Sequence, residues 1–252
     1  MRPTSWITSL FLAAVCLTLS PQVHGQAMND YIRTQASKAG GGVSSWYKAR
    51  GYNAVWTGER LGGLAQFLRS LDAHGLSPNL FQLEAWDAQW RAPSPDPALR
   101  ASVEVGTTQL ALYAIQALAY GFVDPTSVHP KWKEIPRKLT AYHFLDQALQ
   151  KPPSQLPAFL LGVVPPQDDR YAEIIKTLAR YRKIDALGGW RNLPATAQPA
   201  GPGTSYPELS LLKSRLQAEG DLPSGPSIKN RKSVIEERTG EAIKSFQFRH
   251  GI

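Results

Sequence analysis

Residues 105–123 read VGTTQLALYAIQALAYGFV, nineteen positions without one charged side chain. That length approaches what a bilayer span needs. However, two threonines, two glutamines and two tyrosines dilute the stretch, and no basic cluster adjoins either end. The segment is therefore expected to be the buried central helix of an all-α domain, not a membrane span. Its start is marked by APSPDP at 92–97, with Asp96 as N-cap and Pro97 at the first helical position, where a missing N–H does no harm.

Upstream, Leu61, Leu64, Phe67, Leu68 and Leu71 recur at three-and-four spacing and predict one buried helical face. His74-Gly75 followed by Pro78 closes that helix. Trp46, Tyr47, Tyr52 and Trp56 cluster just before it, either as packing under a loop–helix junction or as a surface for stacking on sugars. Residues 26–42 are polar and end in AGGG, so they read as a flexible leader.

Downstream, residues 125–167 are proline-rich, with short helical pieces such as KLTAYHFLDQAL and PAFLLGVV. The segment PPQDDRYAEIIKTLARYRKIDALGGW gives the cleanest helical pattern. Asp168 or Asp169 caps it, and Tyr171, Ile174, Ile175, Leu178 and Tyr181 are expected to form its buried stripe. PATAQPAGPGTSYP has linker composition. Leu209, Leu212 and Leu216 mark a short helix stopping at Gly220, and a basic loop with Lys229, Arg231 and Lys232 leads to a last helix that stops at Gly251.

The expected organisation is a signal peptide over 1–25, a leader over 26–42, a helical domain over 43–193, a linker over 194–206 and a small helical domain over 207–252. The signal reading rests on Arg2, the apolar run WITSLFLAAVCLTL, Pro21 and a small-residue cut after Gly25. Lipoprotein processing at Cys16 is the alternative, with bulky Val15 and Leu17 against it. Removing the signal lowers the formal net charge from +8 by the one charge of Arg2 and takes away the single cysteine. The remainder then has no thiolate nucleophile, disulfide or Cys-based metal site. Its basic balance suits either an anionic envelope polymer or plain solubility.

The histidines at 24, 74, 129, 143 and 250 show no metal-ligand spacing, so no metal and no cofactor are expected. Asp168-Asp169 and Glu236-Glu237 are adjacent acids, which point apart on a helix and make no acid/base pair. No nucleophile-elbow motif and no nucleic-acid module is recognisable.

Several of these stretches occur in the order of one family. WYKARGYNAVW, AHGLSP, TTQLALYAIQALAYGFVDP, RYAEIIKTLARYRKIDALGGW and PELSLLKSRLQAEGDL resemble the exported bacterial L,D-transpeptidases of the large, scaffold-containing type. EAIKSFQFRHGI is similar to the A-[VI]-x-x-F-Q-x-x-H-G-[LI] helix of the peptidoglycan-binding-like domain. The resemblance implies an all-helical scaffold domain followed by a three-helix wall-binding-like domain. In the family a β-rich domain comes next, whose S-H-G-C cysteine transfers peptide stems. Here the match runs only to the second helix of the small domain. The expectation is a periplasmic, non-catalytic portion of such an acyltransferase, acting in peptidoglycan metabolism, with no catalytic residue assigned. A free-standing wall-binding adaptor is the alternative, and a cryptic wall hydrolase a third reading. The resemblance makes Phe246 a core residue of the small domain, and Gln247, Arg249 and His250 the candidate binding residues. Peptidoglycan is the expected partner, an intact transpeptidase a second one, and nucleic acid is excluded. Two short helices with no disulfide bury little surface, so 207–252 is expected to be marginal alone.

Overall fold

The computed structural model describes residues 21–129, 131, 140–194, 201–223 and 233–252. The signal segment through residue 20 and the cluster Lys229, Arg231 and Lys232 lie outside the described residues. The helices up to Asp168 are α1 (Pro21–Lys38), α2 (Gly41–Lys48), α3 (Gly58–Ser70), α4 (Leu83–Arg91), α5 (Pro97–Tyr120), the short α6 (Pro125–Val128), α7 (Ala141–Leu149) and α8 (Leu156–Val163). From Asp169 onward they are α9 (Asp169–Ala186), α10 (Leu209–Glu219) and α11 (Glu237–His250). Among the described residues there is no strand, and one isolated antiparallel bridge joins Ser205 to Val234. The fold class is all-α, as the periodicity predicts. The chain divides into two compact units between Asp168 and Asp169.

In the first unit, α5 is the hub, and α1, α2, α4 and α7 all pack on it. Its sequence explains why. Ala101, Val105, Ala111, Leu112, Ala114, Ile115, Ala117, Leu118 and Ala119 are buried, and the alanines let neighbouring helices approach closely. Gln109, Tyr113, Gln116 and Tyr120 recur at four, three and four residues and are all exposed. The polar and tyrosine positions that dilute the apolar run thus form one wet stripe on a buried helix, which is not a pattern for lipid on all sides. No helix among the described residues is long and apolar enough to cross a membrane. Asp96 caps α5 as expected, accepting the Ala98 amide at 2.8 Å.

The predicted stripe of α3 is buried at Leu64, Phe67 and Leu68, with Leu71 next to it, and it packs on α8. A Cβ on Gly63 would sit 2.5 Å from the Pro153 carbonyl oxygen, so α3 reaches the 3-10 turn Pro153–Gln155 only because residue 63 has no side chain. Gly75, at φ 80°, ends the following 3-10 turn Leu71–His74.

Two expectations need correction. Residues 26–38 are not a flexible leader but most of α1, with Ile32 and Ala36 buried against the first core. These two positions, four residues apart, lie on one face of the helix, and Met28 packs on the same core one turn earlier. Asn29 of α1 also donates to the Gly51 carbonyl and to Asn53, pinning the turn that holds Tyr52 at φ 60°. The second correction concerns α9, where no residue is buried. Ile174 is 63% exposed, while Tyr171, Ile175, Leu178 and Tyr181 are half-buried.

In the second unit, α10 and α11 pair across two small clusters. Tyr206, Leu209 and Ile235 form one, and Leu216, Leu222 and Ala242 the other, with Leu212 and Ile243 touching both. Phe246 packs on the second cluster, in the core position that the resemblance implies. Gly220 and Gly251 take the left-handed conformation at the two helix ends.

Candidate functional site

Two polar constellations stand out, one in each unit. In the first, α5 presents Glu104, Thr107 and Thr108 on its buried side. Tyr47 of α2 donates to Glu104 Oε1 at 3.1 Å, and the Val55 amide reaches the same oxygen at 2.7 Å. The Tyr47 hydroxyl lies 2.7 Å from Thr108 Oγ1, which also accepts the indole N–H of Trp56 at 2.9 Å. At the preceding position, Thr107 Oγ1 accepts the indole N–H groups of Trp86 at 2.8 Å and Trp90 at 2.9 Å, and donates to the Val103 carbonyl. The adjacent threonines therefore fix three tryptophans and a tyrosine from α2, α4 and the segment before α3.

Glu104 is 2% exposed. Burial pushes its carboxyl up to about 7, against hydrogen bonds from Val55, Tyr47 and Trp56 and the charge of Arg60. Burial and the neighbouring Glu104 charge raise the Tyr47 phenol above its ordinary range. Glu104 is thus held beside a locked phenol as an acceptor for the turn leading into α3. Arg60 completes that turn by donating to the Val55 carbonyl at 2.7 Å. Nearby, Asp146 ties α7 to α2 through Trp46 at 2.6 Å and to the turn after α2 through Arg50 at 2.5 Å, with the guanidinium stacked 3.9 Å from the Trp46 ring centre. The four aromatics flagged in the sequence thus mainly brace α2 and the loop before α3.

A cleft of about 150 Å³ opens beside this network, between α1, α4, α5 and the loop before α3. Met28, Pro93, Leu99 and Val103 supply apolar walls. Trp56 and Trp90 line it as well, together with Gln89, Ser94, Arg100 and Glu104.

The second constellation contains Arg249 and His250, two of the three residues singled out by the FQ-xx-HG pattern. Arg249 of α11 is clasped by Asp221 at 2.5 Å and by Glu219 Oε2 at 3.1 Å. Glu219, 1% exposed, also accepts the Tyr181 hydroxyl at 2.5 Å and pairs with Arg215 at 2.8 Å. His250 Nε2 lies 3.8 Å from the same Oε2, and its ring stacks on Phe246 with centroids 4.3 Å apart. Arg215 is stacked 3.4 Å from the Trp190 ring centre. Burial alone would raise the Glu219 carboxyl, but the hydrogen bonds of Tyr181 and Arg249 and the charge of Arg215 outweigh it and hold the group low.

Arg249 and His250 therefore converge on one buried carboxylate, while the Gln247 side chain is exposed and its carbonyl accepts the Ile252 amide at 2.9 Å. The motif's charged end is a clasp joining α9, α10 and α11. The sequence reading missed Glu104, Trp90 and Glu219. A lone acid four residues before a threonine, inside a buried helix, was the available signal for the first.

Comparison with curated proteins and with solved structures returned no match. The family described as Scaffold domain matches residues 41–178, from the first residue of α2 into the third turn of α9. That match covers more than half of the 252 positions, and the chain belongs to the Scaffold domain family.

Proposed function

We propose that this chain serves peptidoglycan metabolism in the periplasm as the helical portion of an L,D-transpeptidase-type cross-linking protein, positioning wall strands and not reacting with them. The observation that carries this reading is the Scaffold domain match over 41–178, which falls on the stretch whose motifs resemble the scaffold of that enzyme type. The engagement of the buried and half-buried ionisable groups supports it too. Glu104, Asp146, Glu219 and Asp221 all bind helices to one another. Residues 207–252 are read as the corresponding part of a peptidoglycan-binding-like domain, with Arg249 and His250 as structural members and Gln247 as the outward-facing one.

Sedimentation of the full chain with isolated sacculi tests this. Pelleting is expected to weaken as salt rises, because the chain carries a formal net charge of +8. No pelleting above background at low salt overturns wall binding. Release of muropeptides from the same sacculi overturns the non-catalytic reading. The basic charge also favours a second reading, a free-standing wall-binding adaptor. Co-purification with an intact L,D-transpeptidase in the native envelope supports the adaptor.

A further inference from the structure

We propose that the cleft beside α5 is a glycan site in which Trp90 and Trp56 bed one neutral pyranose ring and Gln89, Ser94 and Arg100 hydrogen-bond its hydroxyls. This deepens the proposed function by naming the polymer's sugar as the group recognised at this cleft, and it rests on that reading.

Size is the first argument. Cavities of about 150 Å³ hold a single six-membered ring, and this cleft has that volume. The second argument is what the indoles have left to offer. Both indole N–H groups point into α5, Trp56 to Thr108 and Trp90 to Thr107, so the rings meet the cleft with carbon surface. Each ring is fixed in orientation by its hydrogen bond, which lowers the entropy lost on binding. Trp56 is 5% exposed and closes the floor, while half-buried Trp90 forms the accessible platform.

Arg100 and Glu104 bring one group of each sign to the lining, so a net charge of either kind gains no clear advantage there. Gln89 and Arg100 are exposed and Ser94 is half-buried, so all three hold water that a hydroxyl can replace at the rim of the apolar walls. A neutral polyol with one apolar face satisfies both the aromatic walls and the polar ones. Glu104 acts here as a positioning residue. It accepts the Val55 amide and thereby sets the segment that carries Trp56.

The test titrates the full chain with soluble oligomers of N-acetylglucosamine, following tryptophan emission and, independently, calorimetric heat. Wild type is expected to saturate. Trp90→Ala is expected to weaken binding at least about tenfold, and Gln89→Ala with Arg100→Ala about threefold. Trp90→Phe keeps a ring but loses the bond to Thr107, and is expected to retain affinity within about threefold. That separates loss of stacking from loss of fold, with unfolding curves recorded for each variant. No saturable response in wild type, or equal affinity in wild type and Trp90→Ala, overturns the proposal. The sacculus assay separates this inference from its premise. Pelleting without oligomer binding removes the cleft and leaves wall binding, whereas oligomer binding without pelleting does the reverse.

Discussion

Among the described residues, thirty buried apolar side chains form one continuous core around α5 in the first unit. In the second unit the buried apolar residues come as two clusters of three, and a carboxylate clasp lies beside them. The first unit is therefore stabilised chiefly by area removed from water, a contribution that does not depend on ion pairing. In the second, a larger share falls to Glu219, Asp221, Arg215 and Arg249, whose pairing depends on salt and pH. The contrast says where each unit is weak, and substitutions can break it.

The largest effect is expected at Phe67, which has no exposed surface and is packed from α3 into the first core. Phe67→Ala should destabilise by about 4 kcal/mol, read as a lower denaturant midpoint and faster amide exchange in α3 and α8. Leu216→Ala in the smaller cluster should cost about 2 kcal/mol. Equal losses would mean that the second unit has more of an apolar core than its clusters indicate.

Next in size is the titration of Glu104. Its folded carboxyl is raised to about 7 from an ordinary 4.5, so the folded state holds the proton more tightly than the unfolded state. The contribution of Glu104 to the first unit should accordingly be fully present below about pH 4.5 and fall by about 3 kcal/mol as pH rises to about 7, levelling off above. Exchange rates of α2 and α5 across that range report it, and Glu104→Gln should flatten the profile. A first unit that gains stability over the same range would refute the assignment. Thr107→Val follows at about 2 kcal/mol, since two indole N–H groups lose their acceptor in a dry site while the volume is kept. Tryptophan emission from that variant should shift as Trp86 and Trp90 loosen.

Much of the fold was legible because it is written in local patterns. The α3 stripe, the Asp96-Pro97 start of α5 and the glycine stops at 75, 220 and 251 each depend on neighbours within a few residues. The hub position of α5 could be read from its uncharged run. What escaped depends on distant partners. Helix α1 docks chiefly through buried Ile32 and Ala36, two apolar positions in a polar segment that composition takes for a leader. On α9 the same spacing rule overreached, because an amphipathic stripe states what a helix can bury and not what covers it. Glu104 makes sense only once Tyr47, Val55 and Trp56, about fifty residues away, are brought to it. The motif residues Arg249 and His250 were found by resemblance. Their role needed Glu219 and Asp221, about thirty residues upstream.

The smallest expected effect is the acid limb of the second unit, and its sign opposes that of the first. Glu219 is held below its ordinary value of 4.5, so its ionised form is favoured by folding. Its contribution is fully present above that value and is lost as pH falls through the depressed folded one. Tyr181, Arg215, Arg249 and His250 face this carboxylate, and Asp221 shares Arg249 with it. Protonating Glu219 leaves Arg215 and Arg249 with weaker partners without burying a bare charge, so the loss should be modest. Arg249→Gln should remove part of the clasp at neutral pH, speeding proteolysis in α11 and reducing the acid sensitivity of its exchange. If wild-type α11 and α5 both gain protection on acidification, the clasp does not stabilise the second unit, and its two small apolar clusters must do so alone.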